Sequence, residues 1–415
     1  MHLTESTASA GSNHPLALRM AVIAFINQNI TIACVWGSFS VLLGAVETRL
    51  GVGRELSTLA VSMVTLVTAL VAPMVGALAT RFSLRLVMLV GAALNVAGFA
   101  LLALTASFPL YLLAYGLCLG PGMAIAVVLS PTLVTRWYEV NRGRALGIVS
   151  VPALITLMPL VAIWMLQTHG VVMAYAMLAA FSAVSLLANI FIVDRPPAQE
   201  AALAAAQEAA PDGAEPSGVL SMAQLLRSPR FWSLAVAFAV SSASSIVFGS
   251  HIAPMARTWG FAAPLAAVLL SISSLVGMAG TVVFGWVADR LGGARAVALI
   301  VFDAAALWLL LLLHLPFAPT AVIIGLIGLH GAGAVPAISI ALSEGFGREG
   351  FSRAYGLANL INLPFVVVCV PAAAVVYART GSYTGAILGV ACFLALASVF
   401  VVAAAGRGLR MKPAG

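Results

Sequence analysis

The stretch Gly285-Trp286-Val287-Ala288-Asp289-Arg290-Leu291-Gly292-Gly293-Ala294-Arg295 is a charged hairpin set between two long apolar runs. A degraded copy stands 209 positions earlier, from Gly76 through Thr80 and Arg81 to Arg85. At that fixed offset Gly76 falls on Gly285 and Arg81 on Arg290. Gly51 meets Gly260, Gly116 meets Gly325, Gly122 meets Gly331, Ser130 meets Ser339, Arg144-Ala145 meets Arg353-Ala354 and Gly147 meets Gly356. Ala and Leu coincide freely in an apolar chain, but Gly, Arg and Ser holding one ungapped register over roughly a hundred residues indicate internal duplication. The chain reads as two similar halves in parallel order.

Of 415 residues, 62% are hydrophobic and 8% charged, against roughly 25% charged in a soluble domain, which excludes a soluble protein. One Lys, Lys412, and nineteen Arg give a net charge of +7. These charges are scattered at the ends of apolar runs, so they read as membrane-facing loop charges and not as a nucleic-acid surface. Cys34, Cys118, Cys369 and Cys392 lie inside apolar runs without ligand-like spacing, so no metal or disulfide framework is expected. The first fifteen residues are polar and lack a basic segment followed by a short apolar core, so no cleavable signal is expected.

A spanning helix takes about 20 apolar residues. Twelve runs qualify: 18–43, 57–80, 84–106, 109–134, 143–168 and 171–193, then 230–254, 262–287, 294–315, 318–343, 352–378 and 383–405. The reading is an all-α membrane protein of twelve transmembrane helices in two six-helix bundles, 18–193 and 230–405, with tails 1–17 and 406–415. An even number puts both termini on one side. Placing them in the cytoplasm puts sixteen Arg and Lys inside and only Arg49, Arg54, Arg257 and Arg379 outside, which decides the orientation by the excess of inside cations. The polar segment 194–229 reads as a cytoplasmic linker; its Pro196-Pro197 stops the sixth run, and 198–210 has the composition of a short surface helix. Gly120-Pro121-Gly122, Ser130-Pro131, Pro152, Pro159, Pro336, Pro364 and Pro371 interrupt the fourth, fifth, tenth and eleventh runs. Such breaks survive in lipid where neighbouring helices or a watery cavity satisfy the freed carbonyls.

Twelve spans, parallel halves, a central linker and a charged hairpin after the second and eighth spans together resemble the major facilitator superfamily. Residues Gly285 to Arg295 match its signature Gly-x-x-x-Asp-Arg-x-Gly-x-x-Arg; in the first half Thr80 replaces the Asp and Ser83 the Gly, leaving Gly76, Arg81 and Arg85. The resemblance implies a latch that holds the cytoplasmic side shut, with Gly76, Arg81, Arg85, Gly285, Asp289, Arg290 and Arg295 as gating residues. Asp289 is expected to accept from basic residues at a neighbouring helix end, and Thr80 to leave the first-half latch the weaker one. Within the superfamily the chain resembles the monocarboxylate-porter and oxalate/formate-antiporter group through Arg136-Trp137-Tyr138, Arg142-Gly143-Arg144-Ala145-Leu146-Gly147, Arg227-Ser228-Pro229-Arg230-Phe231-Trp232 and Thr380-Gly381-Ser382-Tyr383. It departs from that group at Thr281 and Gly37, where basic residues that would face a carboxylate are expected.

Among residues charged at neutral pH only Asp303 falls deep in a span, and such a residue is a functional candidate. His330 sits near the middle of the tenth span and is switchable near neutral pH. Asp303 and His330 are the candidates for proton coupling, each with a plain packing role as the alternative. His251 lies nearer the outer mouth, in a gating or interfacial role. For substrate the candidates are Asn27, Gln28, Thr31, Tyr115, Ser242, Ser245, His330, Asn359 and Asn362, on spans one, four, seven, ten and eleven that converge on the cavity of the fold it resembles. Hydrogen bonding between helices is the alternative for each. Walker-type phosphate loops and His- or Glu-rich ligand sets do not occur, so neither ATP, cofactor, metal nor enzyme activity is expected.

Three functions are compatible with these features. The first is secondary active transport of a small organic anion, a monocarboxylate, across an inner membrane by alternating access, with protons as a possible partner. The second is a carrier or exporter of a neutral or amphipathic molecule, and the third a membrane sensor that does not transport.

Overall fold

A computed structural model describes residues 13–197, 199–201 and 220–408, and its regular elements are helices. The tail 1–12, most of 198–210 and the final residues 409–415 lie outside the described residues. Ten stretches are long and apolar enough to cross a membrane. The first half contains α1 (Ala17–Ile32), α2 (Phe39–Leu50), α3 (Arg54–Ser57), α4 (Leu59–Arg81), α5 (Leu84–Leu104), α6 (Phe108–Leu113), α7 (Gly120–Trp137), α8 (Arg142–Val149) and α9 (Ala153–Asn189). After the short α10 (Met222–Leu226), the second half contains α11 (Pro229–Thr258), α12 (Ala263–Leu291), α13 (Gly293–Leu310), α14 (Phe317–Thr380) and α15 (Thr384–Gly408).

Two stretches exceed a single crossing: Arg142–Asn189 has 48 residues and Phe317–Thr380 has 64. Each is bent at one glycine, Gly170 (φ 80°, ψ 175°) in α9 and Gly347 (φ 74°, ψ 166°) in α14. That backbone region is open essentially only to a residue without Cβ, so a glycine between two apolar runs marks the reversal. Divided there, the ten stretches make twelve segments. Most of the prolines pass inside continuous helices: Pro131, Pro159, Pro336, Pro364 and Pro371. Pro152 lies in a true interruption between α8 and α9, and Gly120-Pro121 follows a wide turn of π-helix, Ala114–Leu119.

Within the first half α5 packs on α9 and α7, and α1 lies against α7 and α9; within the second, α14 packs on α11, α12 and α13, and α15 on α11 and α13. The outer surface is apolar: Leu66, Leu70, Leu160, Leu275, Phe393 and Val399 are exposed, as a surface in contact with lipid requires. Across the halves, α4 meets the second arm of α14 and α8 meets α12.

Candidate functional site

The two contacts between halves are images of each other at the offset of 209. A methyl group added at Gly76 would strike the Ser352 carbonyl, and one at Gly356 the Ala72 carbonyl; likewise Gly285 lies on the Gly143 carbonyl and Gly147 on the Thr281 carbonyl. Adding 209 to 72, 76, 143 and 147 gives 281, 285, 352 and 356, so both crossings use the same four places. Backbones can approach this closely only where side chains are absent, which is what the duplicated glycines supply.

Polar groups finish each crossing differently. Asp289 accepts from the backbone N–H of Gly143 and from that of Arg144 at 2.9 Å, so its carboxylate caps the start of α8, where unpaired N–H groups and the helix dipole both favour an anion. The expected basic partner is thus a helix end itself. At the matching place Thr80 Oγ1 accepts from Arg353 at 3.0 Å, and Ser352 Oγ donates to the Gly76 carbonyl at 3.0 Å. Gly76 and Gly285 stand at the crossings, whereas Arg290 lies over the Trp286 ring at 4.0 Å. Arg81, Arg85 and Arg295 make no side-chain hydrogen bond or ion pair among the described residues. Arg85 is also one place out of register, since the offset carries it to Ala294.

A charge network that sequence reading did not assign closes the same end. Arg195 clamps Glu349 with two bonds of 2.8 and 3.2 Å, the buried Arg136 stands 3.7 Å from the same carboxylate and donates to the Ala79 carbonyl, and Arg142 donates to Ser343 at 3.0 Å. Arg348 pairs with Glu139 at 3.1 Å, again two positions 209 apart. Burial pushes the Glu349 carboxyl up, but donation from Arg195 and the charges of Arg136, Arg195 and Arg348 outweigh it and hold the group below its ordinary range. The hydrogen bond to Glu349 raises Arg195 in turn. The available signal was the scarcity of acids, thirteen in 415 residues, which makes Glu139 and Glu349 in the connections stand out. Among the described residues every hydrogen bond and ion pair joining the halves lies at this end, within 76–80, 136–144, 195, 289 and 343–353.

The mid-depth polar residues divide into those already paired and those that are free. Asn27 donates to Ser130 at 3.1 Å and accepts from Ser185 at 2.7 Å and Asn189 at 3.0 Å, and Thr31 accepts from Asn95 at 3.2 Å. Both hold first-half helices together. Tyr115 is buried beside Tyr111, with ring centroids 5.1 Å apart, in an apolar cluster of the first half. Gln28 is 7% exposed, and its Oε1 is buried without a partner; Asn362 Oδ1 is likewise buried and unpaired. An orphan of this kind costs about 1–3 kcal/mol. Ser242, Ser245 and Asn359 are half-buried; Ser245 donates to the Ser241 carbonyl and Asn359 to that of Tyr355.

The structure brings Asp303 and His330 together. His330 Nδ1 lies 2.7 Å from the Leu326 carbonyl, so it carries the proton there, and Nε2 stands 3.6 Å from Asp303 Oδ2. The pair sits on the outer margin: the Asp303 side chain is 41% exposed next to an exposed Phe302, and His330 lies 4.9 Å from the Phe284 ring of α12. One residue further, about 100° round the helix, Gly331 lies against Ser245 of α11. His330 therefore lies about 100° round α14 from the face that meets α11. His251 sits 3.2 Å from the Val370 carbonyl and 3.4 Å from the Tyr383 hydroxyl, a tie within the second half. A separate apolar cavity of about 480 Å³ lies between α11, α14 and α15, walled by Val240, Phe365, Val390 and Phe393.

A sequence profile of the Major Facilitator Superfamily matches residues 25–363. The chain belongs to that superfamily. This member is 24% identical over 266 residues to the oxalate:formate antiporter of Oxalobacter formigenes, a match that covers 63% of this chain and 61% of the relative's length. Among solved structures it is similar to the superfamily transporter FucP in its outward conformation, with a TM-score of 0.72 and 16% identity over 94% of this chain and 98% of that one. It is also similar to the human organic anion transporter TETRAN, with a TM-score of 0.69 and 17% identity over 94% and 100% of the two chains. These likenesses are to transporter folds.

Proposed function

We propose that this superfamily member is a secondary active transporter of a small organic anion, a monocarboxylate, moved by rocking of the 18–193 bundle against the 230–405 bundle. Twelve crossings, cytoplasmic termini and a place in the cytoplasmic membrane belong to the same reading, by the inside excess of arginine. The observation that carries it is the one-sided tie: two duplicated glycine crossings and, among the described residues, all bonds between halves at the hairpin end. In this orientation the structure is shut toward the cytoplasm. A pair of halves joined so at one end can exchange that closure for one at the other, which is alternating access. The likeness to an oxalate:formate antiporter supports the anion.

The test is counterflow by purified protein in proteoliposomes preloaded with formate, lactate or oxalate. Uptake of the labelled acid above that of protein-free vesicles is the expected result. Its absence with all three would remove the anion reading. A second reading, a carrier of a neutral or amphipathic solute, is favoured by Thr281, whose carbonyl is covered by Gly147, and by Gly37, which packs on Ile155 and Met158; neither place offers a cation. Inhibition of counterflow by neutral solutes but by none of the three acids would establish it.

A further inference from the structure

The tie between the halves leaves one place without a role: the apolar cavity of about 480 Å³ between α11, α14 and α15. α15 packs on α11 and α13 and touches α14 only slightly, so the cavity is a groove between those two helices. Its floor is the buried Val240 and Val247 of α11, and its lips are Val368 and Phe393, 60% and 62% exposed on the apolar outer surface. Among the wall side chains only Ser244 and Cys369 carry a polar atom, and both are engaged. Ser244 Oγ accepts from Trp308 at 2.8 Å, and the Cys369 thiol donates to the Val366 carbonyl at 3.4 Å. A polar solute finds no partner there, whereas hydrocarbon fills such a space without loss.

The groove has the length and the end fittings for one lipid chain. From Phe365 to Val376 α14 rises about 17 Å, close to the hydrocarbon depth of one leaflet, about 15 Å. Tyr377 and Tyr383, stacked with ring centroids 4.4 Å apart, stand at its end away from the hairpins, and tyrosine favours the level of the headgroups. Phe365, Val368, Ala372 and Val376 follow at spacings of three and four along one stripe of α14, and the next place on that stripe is Arg379. Of the outer arginines, Arg49 donates to the Leu102 and Ala103 carbonyls and Arg54 pairs with Glu47. Arg257 and Arg379 are exposed and make no side-chain hydrogen bond or ion pair among the described residues, and Arg379 is the one in line with the groove. The outer ends of the second-half helices, 250–265, 306–322 and 374–390, carry no Asp or Glu, so nothing there answers the ammonium of a zwitterionic headgroup. We propose that the groove holds a phospholipid of the outer leaflet with an anionic headgroup. One acyl chain lies between α14 and α15, and the phosphate sits on the Arg379 guanidinium, a planar fork of donors suited to it. Outer is meant in the orientation proposed above; the groove itself is walled by the second half alone.

The experiment uses the full chain in phosphatidylcholine nanodiscs doped with phosphatidylglycerol that carries a photoactivatable diazirine on one chain, with adducts mapped by peptide mass spectrometry. Adducts are expected to gather on 364–376 and 385–393 in preference to the exposed surfaces at Leu66, Leu70 and Leu275. Arg379→Gln should lower the yield in the groove about fivefold, the worth of one interfacial arginine, to the level given by the matching phosphatidylcholine probe, and Arg379→Lys should keep most of it. Ala372→Phe, which places a ring in the groove, should remove groove adducts of both probes. Even labelling of all lipid-facing segments, a yield unchanged in Arg379→Gln, equal yields from the two probes, or crosslinks from the groove to a second copy of the chain in place of lipid would each overturn the proposal. None of these measurements involves counterflow, so a failure of the transport reading and a failure of the lipid site are told apart.

Discussion

Asp289 and Thr80 hold matching places with different chemistry, and the difference is measurable. Asp289 satisfies two N–H groups at the start of α8, and replacing such a cap by Ala costs about 1 kcal/mol. Asp289→Ala is therefore expected to raise the labelling rate of a cysteine placed at buried Ser343 about fivefold, while Asp289→Asn, which keeps an acceptor, raises it less. In the other direction, Thr80→Asp would set a carboxylate against Arg353, which now donates to the Thr80 hydroxyl. Slower labelling at that cysteine and slower turnover are the expected outcomes, read by maleimide kinetics and by counterflow. At this scale the sequence showed which residues matter more readily than what they touch. Asp289 was legible as a latch residue from its motif, but its partner is backbone, and backbone carries no residue-type signal. Asp303 and His330 were each legible as rare ionisable groups inside a span; that they meet, and on the outer margin, depends on the rotation of α13 and α14 about their axes, which one residue per helix does not specify.

Helix crossings carry the next set of expectations. Gly147 and Gly356 each lie on a carbonyl of the opposite half, and overpacking at such a contact costs about 1–3 kcal/mol. Gly147→Val and Gly356→Val are expected to favour the state in which the hairpin end is parted, so that the cysteine at Ser343 labels about tenfold faster, and to reduce counterflow. Gly44 and Gly389, with open space around them, serve as the control positions at which Val should change neither reading. Gly347→Ala should destabilise the reversal in α14 by about 1–3 kcal/mol, because the residue sits at φ 74° and ψ 166°, a loss visible as a lower melting temperature in detergent. That the apolar runs form helices was legible, because lipid leaves few alternatives to a helix of about 20 residues; their ends were not, since the first run, read as 18–43, continues through a π turn to Leu50. The π-helical turn before Gly120 and the break at Ser150–Pro152 were only half legible: Gly and Pro marked the region, but the same residues pass unnoticed elsewhere, as Pro131 and Pro336 do inside continuous helices.

For the whole molecule, the tied end predicts a particular response to acid. Glu349 lies below its ordinary range when clamped between Arg195, Arg136 and Arg348, whereas in a parted state it would return toward the usual glutamate value of about 4.3. The shut form thus binds fewer protons, and its advantage is fully present above that value and lost as pH falls through the depressed one. Labelling at Ser343→Cys, taken at each pH as a ratio to the same cysteine in the unfolded chain so that the thiolate fraction cancels, should be flat from pH 6 to 8 and should rise on acidification below about pH 4.5, a rise that Glu349→Gln would abolish by leaving the end loosened at every pH. The duplication was legible at this scale because glycine, arginine and serine hold register where apolar residues drift. The side on which the halves are tied was not legible, since the same glycines describe any state of a rocking pair.

The short arms of the joint between the halves are themselves fastened: Arg195 grips Glu349 on one side of it, and the Leu220 carbonyl accepts from Arg353 on the other. Noncovalent contact alone then suffices to keep the two fragments as partners. A gene split within 202–219 and expressed as two polypeptides should give a complex that copurifies on a tag carried by either one.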